Sequence, residues 1–201
     1  MRDGSVRKLF RLALTALLLW SLYFVVTDNS KKTHEFQPQP NLALEQPLEE
    51  PDPLLHEDLV SILMTQVNPS LDNDTADQIA TAIIEASVVY SLDPYLVLGV
   101  IHAESSARVD AVNGDCLGLM QVRLSIWEGV LQREGIIGTT SRGDLWTVEP
   151  AVMAGSFVLR HYLDQTDGDI PSALKLYSGG AGKKYIQRVT AFLKKHSKEG
   201  A

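Results

Sequence analysis

The stretch Tyr95-Leu96-Val97-Leu98-Gly99-Val100-Ile101-His102-Ala103-Glu104 is apolar almost throughout and ends on a carboxyl group. Asp93-Pro94 stand just before it, an N-cap residue followed by proline at the first helical position, so the stretch predicts a helix that starts at Pro94 and carries Glu104 near its far end. A helix apolar on nearly every face belongs inside a protein. A carboxyl at its end is poorly solvated in the charged form, and desolvation raises a carboxyl pKa. An acid that keeps its proton near neutrality can act as a general acid.

Outward from this helix the chain reads as further helices. Residues 59–67 form a short amphipathic segment, and Asp74-Thr75-Ala76-Asp77 looks like a capped start for a helix reaching about Tyr90. Residues 125–134 predict another helix. Glu149-Pro150 open one whose inner stripe is Val152, Gly155, Val158, Leu159 and Tyr162. Pro171 opens a helix ending near Tyr177, and residues 183–195 close the domain. No segment alternates with period two, so the expected fold class is all-α, with at most a small hairpin.

At the amino end, Arg2, Arg7, Lys8 and Arg11 form a basic flank (residues 1–11) before the apolar run 12–26. That run is short for a membrane span, but Leu9 and Phe10 extend it and no small-x-small cleavage site follows. It reads as a transmembrane signal anchor with the basic flank in the cytoplasm, and a cleaved signal is the alternative. Residues 27–55 are acidic and proline-dotted, a linker that buries too little apolar surface to fold alone. Residues 56–70 are a short helical lead-in, and 71–201 form the main domain. The net charge of -7 argues against nucleic acid as a partner. The single cysteine, Cys116, allows no internal disulfide. The five histidines lack metal-ligand spacing.

After the central helix come three further landmarks. Glu104-Ser105 is followed by Gly118-Leu119-Met120-Gln121, then by Tyr177-Ser178-Gly179-Gly180 and Tyr185. In this order and near this spacing they resemble the catalytic domain of the soluble lytic transglycosylases, a family sharing a lysozyme-like helical fold with goose-type lysozyme. The resemblance covers roughly residues 71–196. It implies that Glu104 is the single catalytic acid, which protonates the leaving oxygen and later takes a proton back. It implies that Ser105 lines the cleft, that Met120 and Gln121 flank the sugar, that the Tyr177 hydroxyl points at Glu104, and that Tyr185 is a second cleft tyrosine. Val152 and Gly155 match a helix motif in which a small residue permits close packing. The implied substrate is the peptidoglycan glycan strand, cut between N-acetylmuramic acid and N-acetylglucosamine to a 1,6-anhydro product, with no cofactor. The pattern departs at Ser178, which stands in an asparagine position and serves as a secondary contact, and at Ala107 and Ala151.

The physics of the residues agrees with a lone acid. A two-carboxylate glycosidase needs a partner Asp or Glu across the cleft, and none of these motif positions supplies one. A lone acid suits substrate-assisted chemistry, in which the sugar's N-acetyl group stabilises the oxocarbenium-like centre. Two alternatives stay open: a hydrolysing lysozyme using Asp110 or Asp115, and a non-catalytic wall-binding module, favoured by Ser178 and Ala107. A structural role for Glu104, paired with Arg108 one turn on, is the simplest competing account. His102 reads as a satisfied core histidine. Trp127 and Trp146 are stacking platforms or core. Placement at a bacterial inner membrane, in a virion or in a larger envelope-spanning assembly is equally compatible with an anchor and linker.

Overall fold

A computed structural model of the chain describes residues 53–180 and 182–197. The basic flank, the apolar run 12–26 and most of the linker lie outside the described residues. No helix among the described residues is long and apolar enough to cross a membrane.

The apolar stretch is helix α3, Pro94–Glu104, and six consecutive residues from Leu96 to Ile101 are buried on all sides of it. Asp93 caps it as the sequence predicts, accepting hydrogen bonds from the backbone N–H of Tyr95 (2.7 Å) and Leu96 (3.3 Å). The preceding helices are α1, Pro53–Ile62, continued by a wider π turn at Leu63–Val67, and α2, Asn73–Tyr90. Helix α1 thus begins inside the expected linker, and its Leu59 and the Leu63 of the π turn are fully buried, making the lead-in part of the core. The cap of α2 is Asp72, one turn before Thr75, whose N–H it accepts at 2.9 Å.

After α3 come three two-residue strands, β1 Val112–Asn113, β2 Cys116–Leu117 and β3 Val122–Arg123, paired antiparallel in the order β1-β2-β3. The sequence allows one hairpin, and the structure has two in series. Strands of two residues are too short to display alternation. Helix α4, Leu124–Arg133, follows, then a short turn α5 at Ser141–Asp144, then α6, Val148–Gln165. Helices α7, Ile170–Tyr177, and α8, Lys183–His196, complete the fold.

Helix α3 lies between α2 and α8, and α6 packs along α2 and α7. Helix α6 is buried over most of its length, well beyond the expected stripe, with Ala154 and Ser156 at 0% exposure and Phe157 also buried. Two glycines set close approaches. A Cβ at Gly99 would meet Phe192 of α8 at 3.3 Å, and one at Gly155 would lie 2.4 Å from the Met120 Cβ. The second contact presses the β2–β3 turn, Gly118-Leu119-Met120-Gln121, onto α6. Gly118 itself has φ +72, and a Cβ there would meet the Leu145 carbonyl oxygen at 2.0 Å.

Gly114 offers a matched control, since its φ is +61 with nothing within 4 Å of its would-be Cβ. Both Gly114→Ala and Gly118→Ala carry the left-handed backbone cost of about 1 kcal/mol. Only the second adds overpacking against backbone, about 1–3 kcal/mol more. Urea unfolding should therefore rank Gly118→Ala well below Gly114→Ala, and equal losses would refute the close-approach account.

Candidate functional site

Helix α3 stops at Glu104 because the chain turns sharply there. Ser105 is the C-cap, and Ser106 and Ala107 take left-handed φ values of 52 and 57. Non-glycine residues hold such angles only where surrounding packing insists, a pattern common at functional sites. Ala107 is fully buried, so the turn is fixed by the core beneath it. The Glu104 carboxyl is left at the edge of a cleft of about 220 Å³.

Five of the seven expected site residues line this cleft: Glu104, Gln121, Tyr177, Ser178 and Tyr185. Ser105 and Met120 do not. Ser105 is 2% exposed and its hydroxyl donates back to the Ile101 carbonyl at 3.3 Å. Met120 is 0% exposed, with its sulfur near the Ser156 hydroxyl and its side chain against Gly155. Both are packed in the core away from the lining, because the turns that carry them turn these side chains inward.

The Tyr177 hydroxyl donates to the Met120 carbonyl at 2.8 Å, tying α7 to the β2–β3 turn rather than addressing Glu104 directly. A buried carbonyl needs a donor, and Tyr177 supplies it. The Tyr185 hydroxyl, from α8, also stands near the Glu104 carboxyl. It is buried and makes no hydrogen bond of ordinary geometry, yet it lies near enough to favour the carboxylate. Burial pushes both phenols far above their usual pKa, with the Glu104 charge adding to the effect. Both stay neutral and able to donate.

Gln121 also serves the scaffold. Its amide nitrogen donates to the carbonyls of Ala111 and Gly118, each at 3.0 Å, and its own φ is 50. Ser178 is half-buried in the cleft wall, donating to the Lys175 carbonyl at 3.2 Å.

Burial raises the Glu104 pKa above its ordinary value, and Tyr185 and then Arg188 partly offset the rise. The Arg108 pairing does not form: its Nε donates to the Ser105 carbonyl at 3.1 Å. Glu104 is the one carboxyl among the cleft-lining residues. Asp115 is held elsewhere, accepting the Ser125 N–H at 2.8 Å at the start of α4, which keeps its pKa low. Asp110 is exposed outside the lining.

Several lining residues were not singled out by the sequence. Arg123 and Ile126 line it, the Arg123 guanidinium close to Gly179, and Tyr162, expected only as part of the α6 inner stripe, lines it too. Trp127 is core after all, 8% exposed and edge-on to Phe157, His161 and Tyr162, with one edge reaching the cleft. Trp146 lies outside the lining, under the Arg142 guanidinium at 5.8 Å. His102 departs from expectation: its Nδ1 is buried without a partner, and burial plus Arg188 lower its pKa. Arg188 of α8 stands among lysines on an exposed stretch, yet its Nη2 donates to the Ala103 carbonyl at 2.9 Å. The available signal was its position three residues after Tyr185, which puts both on one face.

Residues 81–198, which contain every element of this cleft after α2, match the family model described as Transglycosylase SLT domain. Membrane-bound lytic murein transglycosylase C of Photorhabdus laumondii subsp. laumondii is 32% identical over 126 residues, covering 58% of this chain and 35% of that protein. The chain therefore spans about a third of the length of that relative. No solved structure matches the chain.

The raised Glu104 pKa has a stability consequence. The protonated carboxyl favours the folded state fully below the ordinary glutamate value, and that contribution is lost as pH rises through the folded value. Glutamine cannot ionise. Glu104→Gln should therefore raise Tm relative to the parent at neutral pH, with the gain vanishing at acidic pH. A Tm difference independent of pH would show that the carboxyl is not held in a desolvated place.

Proposed function

We propose, for a chain that belongs to the transglycosylase SLT domain family, the activity of a peptidoglycan lytic transglycosylase acting through Glu104. The observation that carries the reading is one carboxyl, its pKa raised by burial, standing alone in a cleft between two neutral tyrosines. A protonated Glu104 gives its proton to the glycosidic oxygen as the bond from N-acetylmuramic acid to N-acetylglucosamine breaks. The positive charge that develops at C1 is met by the sugar's own N-acetyl group, since the lining offers no second carboxylate. The ionised Glu104 then accepts the proton of the 6-hydroxyl as that oxygen closes on C1, leaving a 1,6-anhydro end and a restored acid.

The chain's own residues divide the remaining work. Tyr185 presents a neutral hydroxyl beside the carboxyl, positioned to follow its charge as it changes. Tyr177 holds the β2–β3 turn against α7, and Gln121 closes that turn on Gly118 and ties it to Ala111 ahead of β1, so the two keep that part of the cleft in place. Gln121, whose nitrogen is engaged, offers the sugar its amide oxygen, and Ser178 adds a contact from the α7 end. The name of the Photorhabdus relative, with its membrane-bound placement and murein substrate, supports an envelope location. The apolar run 12–26 then serves as a single-pass anchor with the basic flank inside and the catalytic domain outside, on a linker reaching the wall.

The test is mass spectrometry of muropeptides released from purified wall by the chain, with Glu104→Gln alongside. The expected products end in 1,6-anhydro-muramic acid, and Glu104→Gln should fall by about 10²- to 10⁴-fold, the usual contribution of a general acid. Reducing ends would make the enzyme a hydrolase. Silence from a folded parent protein would leave a wall-binding module.

A further inference from the structure

We propose that Arg188 is the positioning residue of the site, a cation on α8 that ties down the last turn of α3 and lets the one carboxyl there act first as acid and then as base. The proposal rests on the reading of Glu104 given above.

The last carbonyls of any helix lack partners within it. At the end of α3 the carbonyls of Ile101, His102 and Ala103 each find one. The Ile101 carbonyl accepts from the Ser105 N–H at 3.0 Å, and the His102 carbonyl from the Ser106 hydroxyl at 3.5 Å. The Ala103 carbonyl is different. It accepts from the Arg188 Nη2 at 2.9 Å, a bond spanning 85 residues of sequence. A local turn closes the first two, and a charged group from another helix closes the third. That bond fixes the peptide next to Glu104 to the same face of α8 that brings Tyr185 to the carboxyl.

Charge explains why the third partner is a cation. A helix C-terminus carries about half a negative charge, which opposes ionisation of a carboxyl placed on it. Burial opposes it further. A Glu104 subject to both alone would be a durable acid and a poor base, whereas the proposed reaction needs the proton to leave and return. The Arg188 guanidinium cancels the helix end and stays charged at any working pH. Among the described residues it has no ion-pair partner to offset that charge. The other groups facing the carboxyl are Tyr185 from α8 and Tyr177 from α7, both neutral, with Cys116 of β2 and Arg123 of β3 on the cleft lining and His102 on α3 itself. Burial and then the same guanidinium lower the His102 pKa, which disfavours a second cation on α3.

Two measurements on the full chain test this. The first follows the Glu104 carboxyl by carbon-detected NMR titration in the parent, Arg188→Gln and Arg188→Lys. Arg188→Gln should move the Glu104 titration to higher pH and Arg188→Lys should largely restore it. An unmoved titration in a folded Arg188→Gln, or in Arg188→Lys compared with the parent when Gln does not fold and Lys has lost the rate, overturns the proposal. The second is the pH profile of muropeptide release. Arg188→Gln should lower kcat by about 10- to 100-fold, the range for a misplaced catalytic group, and shift the alkaline limb of kcat/KM upward. A rate loss with the limb in place would mean Arg188 only supports the fold. If the parent releases nothing and Glu104→Gln does not differ from it, the functional reading fails instead, and the titration still decides whether Arg188 governs the carboxyl.

Discussion

A carboxyl fixed to the end of a helix that has no solvated face is the constraint from which the rest of the site follows. Helix α3 is buried from Leu96 to Ile101, so Glu104 is carried by a fixed element and its carboxyl is only partly solvated, at the cleft. The rest of its environment comes from whatever neighbouring elements present. Those elements are α8, with a phenol and a guanidinium, and α7, with a second phenol. The left-handed pair Ser106 and Ala107 then carries the chain off the helix without covering the carboxyl.

What the sequence made legible was whatever depends on near neighbours. Asp93-Pro94 announces the start of α3 because capping and proline geometry act within one turn. Glu104 stands out because its apolar context is contiguous. The Asp169 cap of α7, which accepts the Ser172 N–H at 2.9 Å, follows the same local logic beside Pro171. The all-helical class was readable from periodicity, while the three strands, held by pairing rather than pattern, were not.

The roles of the site residues were less legible, for a physical reason. Tyr177, Tyr185 and Arg188 each meet partners tens of residues away, and a sequence carries no record of which hydroxyl reaches a carbonyl and which a carboxyl. Ser105 and Met120 sit next to chemistry in the chain but beneath it in space. Arg188 was hidden among the lysines of α8, where only the approach of α3, made close by Gly99, gives it a partner.

The engagement of Gln121 bears on how such sequences are interpreted. Its amide nitrogen is committed to two backbone carbonyls, Gly118 is fitted against the Leu145 carbonyl, and Met120 against Gly155. This run of four residues, one of the landmarks of the family resemblance, is therefore largely a joint of the scaffold. A descendant of this fold that had lost its acid would still be held to the same four letters by the need to stay folded. The survival of that run in a gene would testify to inherited architecture, and a degenerate, catalytically silent paralogue would be betrayed only at the end of the apolar helix.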